Sequence, residues 1–347
     1  MRFERREQPV AAITIGAPIL AVTISLLVAG GLIALAGAPV LASYASIFTS
    51  AFGSKLAITE TLTRAIPLMF TGLAAAVAFR AKVWNIGAEG QLYIGALAAA
   101  AAGLWITAPP IITIPALIVI AACAGMVLLV IPVFMRVRFG VDEVVTTLLL
   151  NFIVLLFVSL AIEGFLRDPL AFGWPQSVPI PEEGRLPKLV DRSRLHFGLV
   201  IAVGFAILVY LIHRYTVFGL QSRAAGESQS GAAFAGVPIA RTLLGVACLS
   251  GGLAGVAGAV EAMGVKGFVS TDLSPGFGYS GIVVAMLANL NPIGVIFAAL
   301  FVAAVFVGAD GMSRSMEVPT FIADVTVSLA LLTMLIALFF AAYRVRW

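Results

Sequence analysis

Between Val10 and Val40 the chain carries no charged side chain. A helix needs about 20 consecutive apolar residues to cross the hydrocarbon core of a bilayer, so a run of this length constrains the fold more than any other feature. Comparable runs recur at roughly 57–80, 89–107, 111–134, 144–166, 197–213, 241–263, 279–290, 293–309 and 320–342. With the first, at about 12–37, they predict an all-α polytopic transmembrane bundle of about ten spans, a single domain covering 1–347. The eighth run is too short to cross unaided. Helices are the expected form because hydrocarbon offers no partner to a free backbone N–H or C=O. Composition agrees. Of 347 residues 61% are apolar and 11% charged, against about 25% charged in a soluble domain. Arg2, Arg5 and Arg6 ahead of the first run imitate a signal peptide, but the run exceeds the roughly 7–15 residues of a cleaved apolar core. A retained first span is expected.

Positive charge sets the orientation, since short cytoplasmic connections collect Lys and Arg. With the N-terminus inside, Arg2, Arg5, Arg6, Arg80, Lys82, Arg136, Arg138, Arg214, Arg223, Arg241, Arg344 and Arg346 are cytoplasmic, while the short outer connections hold Lys55, Arg64, Lys266 and Arg314. An even number of crossings returns the C-terminus to the cytoplasm. This bias accounts for the net charge of +4, and no basic run interleaved with aromatics points to nucleic acid as a partner. Two hydrophilic segments interrupt the pattern. The first, 168–196, contains Pro169, Pro175, Pro179, Pro181 and Pro187 and is expected as an external loop. The second, 214–240, lies inside; Ser228 or Ser230 is expected to cap a short helix running through Phe234 and ended by Gly236 and Pro238.

Small residues recur at helical spacing. Gly95, Ala99 and Gly103 form one ridge, Gly251, Gly255 and Ala259 another, and Ser250, Ala254, Gly258 and Ala262 a third. Such ridges let backbones approach closely where lipid supplies no hydrophobic drive for association. The segment Asn85-Ile86-Gly87-Ala88-Glu89-Gly90-Gln91 sets three polar side chains and two glycines in apolar surroundings. Asn85 and Glu89 share a face if the segment is helical, and the glycines permit a break. A carboxylate at membrane depth costs about 2.5–3.5 kcal/mol and needs a polar cavity or a partner. Either these residues line or gate a pathway, or they form a polar connection paired with Arg80 and Lys82. Pro275-Gly276-Phe277-Gly278-Tyr279-Ser280-Gly281 resembles the start of a discontinuous helix whose free N–H groups face a cavity; a flexible outer loop is the alternative. Asn289-Leu290-Asn291-Pro292 then forms an inner turn. Whether 81–92 and 275–290 re-enter the membrane is open, but two short helices of opposite direction suggest an inverted repeat. Asn85, Glu89, Gln91, Asn151 and Gly278 are the pathway candidates. Glu60, Glu163 and Glu261 fall near the external face, where they either reach water or meet a docking partner.

Catalytic motifs are missing. There is no GxxxxGK[ST] phosphate loop, no HExxH and no GxSxG, and Cys123, Cys248, His196 and His213 make no metal-spaced set. No enzyme activity, catalytic residue, metal site or cofactor is expected.

Taken in order, these segments resemble a known family. Asn85 through Gln91, followed by Ile94-Gly95-Ala96, is similar to the motif of ATP-binding-cassette (ABC) permeases of the branched-chain amino acid, ribose and nucleoside group. Asp142-Glu143-Val144-Val145-Thr146-Thr147-Leu148-Leu149-Leu150-Asn151 resembles a stretch of its nucleoside and simple-sugar branch, with Asp142 where Asn is usual. Arg223 through Glu227 and Ala232 through Gly236 resemble the family's cytoplasmic coupling segment, and Ser250 through Glu261 the span after it. The resemblance implies a multi-pass permease of a bacterial inner membrane, in membrane lipid, passing nucleosides or related small polar solutes. It implies three partners: an ATP-binding subunit, a second permease subunit (the same or different), and an external substrate-binding lipoprotein. ATP would be bound by the partner, with Arg223, Gly226, Glu227, Ala232 and Gly236 coupling to it. A simple sugar or branched-chain amino acid is the alternative cargo. An ion-coupled transporter acting alone would need an internal proton or ion relay, for which the acids are too few and too near the faces.

Overall fold

The apolar runs fold as helices in the computed structural model, which describes residues 37–316 continuously together with 2–5, 23–24, 27–35, 325, 328–329, 332–333, 336 and 343–346. In chain order these are α1 (Val40–Phe52), α2 (Lys55–Arg80), α3 (Ala88–Gly103), α4 (Pro110–Phe139), α5 (Glu143–Glu163), α6 (Gly198–Tyr215), α7 (Val217–Glu227), α8 (Gln229–Phe234), α9 (Ile239–Glu261), α10 (Phe277–Leu287) and α11 (Pro292–Met316). A helical stretch at Leu27–Leu35 precedes α1 and meets it at 112°. Among the described residues six helices are long and apolar enough to cross a membrane: α2, α4, α5, α6, α11, and α9 with its π-helical extension Ala262–Lys266. Leu27–Leu35 and α1 make a seventh if the bent pair is one span. The expected first and last spans, 12–37 and 320–342, lie largely outside the described residues.

Two expected spans are short. The run at 89–107 is a 16-residue helix, α3, about 24 Å long at 1.5 Å per residue and so short of a hydrocarbon core of about 30 Å. The run at 279–290 is the 11-residue α10. The chain ends supply the only strands among the described residues: Arg2–Arg5 pairs antiparallel with Tyr343–Arg346, Arg2 opposite Arg346.

The chain divides into two compact units, Leu62–Ala299 and Met1–Thr61 with Leu300–Trp347. In the smaller unit, α1 packs on the second half of α11. The hydroxyls of Ser46 and Ser315 lie 2.6 Å apart, and Thr61 Oγ1 donates to the Ala51 carbonyl at 3.0 Å.

The larger unit is organised around α9, which packs on both α3 and α4. Residues Ser250 through Glu261 are all buried, and the two small-residue ridges on α9 are the surfaces that make the contact. A β-carbon on Gly95 of α3 would overlap the Gly255 carbonyl, and one on Gly258 would overlap that of Leu92. From α4, Gly125 meets Gly251 in the same way, a third small residue that the ridge spacing had not indicated. Backbones this close gain dispersion contacts along their whole length, the form of association open to helices in lipid. The outward faces are apolar instead: Leu149, Phe152, Ile153, Leu156 and Leu160 of α5 are all exposed, as a lipid-facing stripe requires.

The 168–196 segment is ordered by hydrogen bonds to the π-helical extension of α9 and the residues just after it. Ser177 N donates to Val269 O at 2.8 Å, Ile180 N to Gly267 O at 2.8 Å and Leu186 N to Met263 O at 3.1 Å. Asp168 turns the chain by accepting from Leu170 N at 2.9 Å and from Gln176 Nε2 at 3.0 Å.

Candidate functional site

The polar segment after α2 breaks the helix where the glycines allow it. Helix α2 stops at Arg80, Lys82 takes a left-handed conformation (φ 53°), and α3 starts only after Gly87. Asn85 therefore sits in the turn, not on the face of a helix with Glu89. Its Oδ1 accepts from Gly87 N at 3.0 Å, which holds the turn. Its amide also pairs reciprocally with that of Gln91, both bonds 2.9 Å, and donates to Ser250 Oγ at 3.0 Å. Ser250 Oγ in turn donates to the Ala74 carbonyl at 2.7 Å. Asn85 and Gln91 are buried and use their amides on protein partners. Together they tie the turn to α2 and α9.

Helix α10 begins in a matching way. Gly276 is left-handed (φ 89°), and Ser274 Oγ accepts from Phe277 N at 2.9 Å and Gly276 N at 3.2 Å. The hydroxyl of Tyr93, from α3, accepts from Ser274 N at 3.1 Å and donates to Thr271 O at 2.7 Å. The first turns of α3 and α10 then meet tip to tip. Gly278 N donates to Glu89 Oε2 at 2.6 Å, and a β-carbon on Gly278 would overlap the backbone nitrogen of Glu89. Asn151 of α5 bridges the junction. Its Oδ1 accepts from Gly90 N at 2.8 Å, and its Nδ2 donates to Ile86 O at 2.9 Å and to Tyr279 Oη at 3.1 Å.

A single buried carboxylate thus lies in the first turn of one helix and against the first turn of another. Each helix start carries roughly half a positive charge from its unsatisfied N–H groups, so the two dipoles converge on Glu89. The alternative reading, in which Glu89 pairs with Arg80 or Lys82, does not hold, because the break turns Glu89 toward α10. All five pathway candidates, Asn85, Glu89, Gln91, Asn151 and Gly278, belong to this one network. Ser250, Tyr93, Ser274 and Tyr279 complete it without having been singled out for it.

The neighbouring turn is held by charge. Arg136 of α4 pairs with Glu143 and donates to Lys82 O at 2.9 Å, and Glu143 accepts from Trp84 N at 3.2 Å. Of the expected docking carboxylates, Glu163 is exposed at the end of α5 while Glu261 is buried at the end of α9. Glu60 is half-buried, in the smaller unit.

The 214–240 segment forms a helix pair. Thr216 Oγ1 caps α7 by accepting from Gly219 N at 3.2 Å. Ser228 Oγ caps α8 by accepting from Gly231 N at 3.1 Å. Gly236 ends it at φ 85°. Arg223, Glu227 and Gly236 are exposed and Ala232 is buried. Gly226 is buried against the last turn of α2, where a β-carbon would overlap the Arg80 carbonyl. At the far end of α8, Phe234 is 96% exposed.

Residues 57–342 match the model of the family described as branched-chain amino acid transport system / permease component. The chain belongs to this family. Individual relatives agree over nearly the whole length. A guanosine ABC transporter permease of Bacillus subtilis is 31% identical, the alignment covering 91% of this chain and 91% of that protein. A nucleoside ABC transporter permease of Lactococcus lactis is 32% identical over 90% of this chain and 88% of that one. A glucose ABC transporter permease of Haloferax volcanii is 31% identical over 99% and 93%. The permease is a multi-pass membrane protein and the non-enzymatic channel component of an ABC transporter, and ATP hydrolysis resides in a separate subunit.

Proposed function

We propose that this permease passes a nucleoside, or a related small polar solute, into the cytoplasm of a bacterial cell across its inner membrane. The reading of the cargo is carried by the two relatives named as guanosine and nucleoside permeases, each aligned over about nine-tenths of this chain. In this reading both chain ends and the α7–α8 pair face the cytoplasm, and 168–196 faces outward. The ATP-binding subunit seats on α8 around Phe234, with Arg223 and Glu227 flanking it. Its closure then moves α7, whose Gly226 rests directly on the end of α2. An external binding protein delivers the solute to the outer face at Glu163, the carboxylate left exposed there, and a second permease subunit completes the pathway. The tip-to-tip junction of α3 and α10 acts as the closure point within it.

Reconstitution tests this directly. Proteoliposomes containing the permease, its ATP-binding subunit and the binding protein should take up radiolabelled guanosine or uridine only with ATP inside. Uptake by the permease alone, driven by an ion gradient, would overturn the reading. A hexose is the competing cargo, favoured by the glucose permease of Haloferax volcanii. Calorimetric titration of the binding protein with nucleosides and with glucose separates the two.

A further inference from the structure

A cavity of about 550 Å³ lies where α2, α6 and α7 end or begin beside the 288–292 turn. Its walls carry Arg80, Arg214, Arg223 and His213 and, among the described residues, no carboxylate. Among the described residues none of the three arginines makes an ion pair. The ordinary account of basic residues at helix C-termini is that they serve the free carbonyls there. That account is weak here. Gly226 packs onto the Arg80 carbonyl and Gly219 onto those of Ile212 and His213, so those helix ends are already covered by backbone.

His213 orients one of these arginines. Arg80 Nη1 lies 3.0 Å from His213 Nδ1. A guanidinium can only donate, so Nδ1 is the acceptor and the imidazole proton sits on Nε2. That Nε2 is buried away from the cavity and, among the described residues, has no hydrogen-bond partner. Cations gathered without a counter-charge repel one another. An oxyanion with several acceptor oxygens supplies that counter-charge. Guanidinium forks match phosphate geometry in particular, and Asn289 in the turn supplies a neutral donor on the same wall.

We infer that this cavity binds a phosphate group, held by Arg80 and Arg223. The group is either the head of an anionic phospholipid or a free phosphate. A lipid source rests on the proposed orientation, which puts the cavity at the cytoplasmic leaflet, where basic pockets between helices collect acidic headgroups.

Binding can be tested without transport, so its failure is distinguishable from failure of the importer reading. Wild-type permease, purified in a phosphate-free sugar detergent, would be titrated with inorganic phosphate against chloride at matched ionic strength. In parallel it would be placed in nanodiscs of phosphatidylcholine with and without phosphatidylglycerol, and unfolding midpoints followed. A rise with free phosphate supports the site and names a soluble ligand, and a rise with phosphatidylglycerol alone supports it and names a lipid. Arg223→Gln and Arg80→Gln should each need about tenfold or more ligand for the same rise, while Arg138→Gln, on α4, should match wild type. If Arg80→Gln does not fold, Arg223→Gln and the wild-type titration decide. No rise with either ligand, or unchanged ligand demand in the arginine variants, would overturn the inference.

Discussion

Changing Glu89 to Gln removes the charge from the junction of α3 and α10 while keeping an acceptor of the same shape. Two effects oppose each other. Removing a buried carboxylate relieves a desolvation cost of about 2.5–3.5 kcal/mol on insertion scales. Against this, the bond from Gly278 N falls from a charge-assisted one to a neutral one, a loss of about 1 kcal/mol. The favourable interaction with two helix starts also disappears, at up to about 2 kcal/mol each in a sheltered geometry. At these upper limits the losses, about 5 kcal/mol, exceed the relief, and Glu89→Gln should destabilise the permease by about 1.5–2.5 kcal/mol. Glu89→Ala should cost about 3 kcal/mol or more, because it also leaves the Gly278 N–H buried without an acceptor. Thermal unfolding of the purified variants in one detergent gives the order, and hydrogen exchange at Gly278 reports whether its bond survives. Should Glu89→Gln prove as stable as wild type or more so, the helix dipoles are not what holds this carboxylate, and the account of the junction fails.

Other perturbations probe the remaining features. Gly258→Ala drives a β-carbon into the Leu92 carbonyl and should cost about 1–3 kcal/mol or prevent folding; Gly204→Ala, with open space around it, should be neutral or gain up to about 1 kcal/mol, a contrast visible in unfolding midpoints. Phe234→Ala should leave the unfolding midpoint unchanged while lowering ATP-driven uptake at least tenfold. Loss of stability without loss of coupling would dismiss Phe234 as a docking residue. His196 is fully buried, and burial lowers its pKa from 6.5 to about 4. Above pH 6.5 it costs nothing, but between pH 6.5 and 4 the unfolded chain takes up a proton that the folded one refuses. Stability should therefore fall by on the order of 3 kcal/mol across that window. His196→Phe should flatten this part of a pH series of denaturant unfolding, and an unchanged slope would remove His196 as its source.

The helices and their contact ridges were legible because period and residue size are local properties. Gly95 and Gly255 announced a close approach before any partner was known. The broken helix at Gly87 was legible too, but its geometry was not. Asn85 looked like a helical neighbour of Glu89 because spacing cannot show where α3 starts. The partner of Glu89 was out of reach for a different reason: Gly278 lies 189 residues away, and nothing near either residue specifies that pairing. Tyr93 gave no signal, being a single tyrosine in an alanine-rich run whose hydroxyl partner belongs to another helix start. The basic cavity needed Arg80 and Arg223 brought together by tertiary packing, and sequence reading could only sort both to the same side of the membrane.

Gly226 seats α7 on α2 with no side chain between them. Longer residues at such a seat would bend, rotate about χ angles and absorb part of any displacement before passing it on. Bare main chain against main chain has no such compliance. A push on α7 of even half the width of a methyl group must therefore reappear at the end of α2, one short turn away from Asn85.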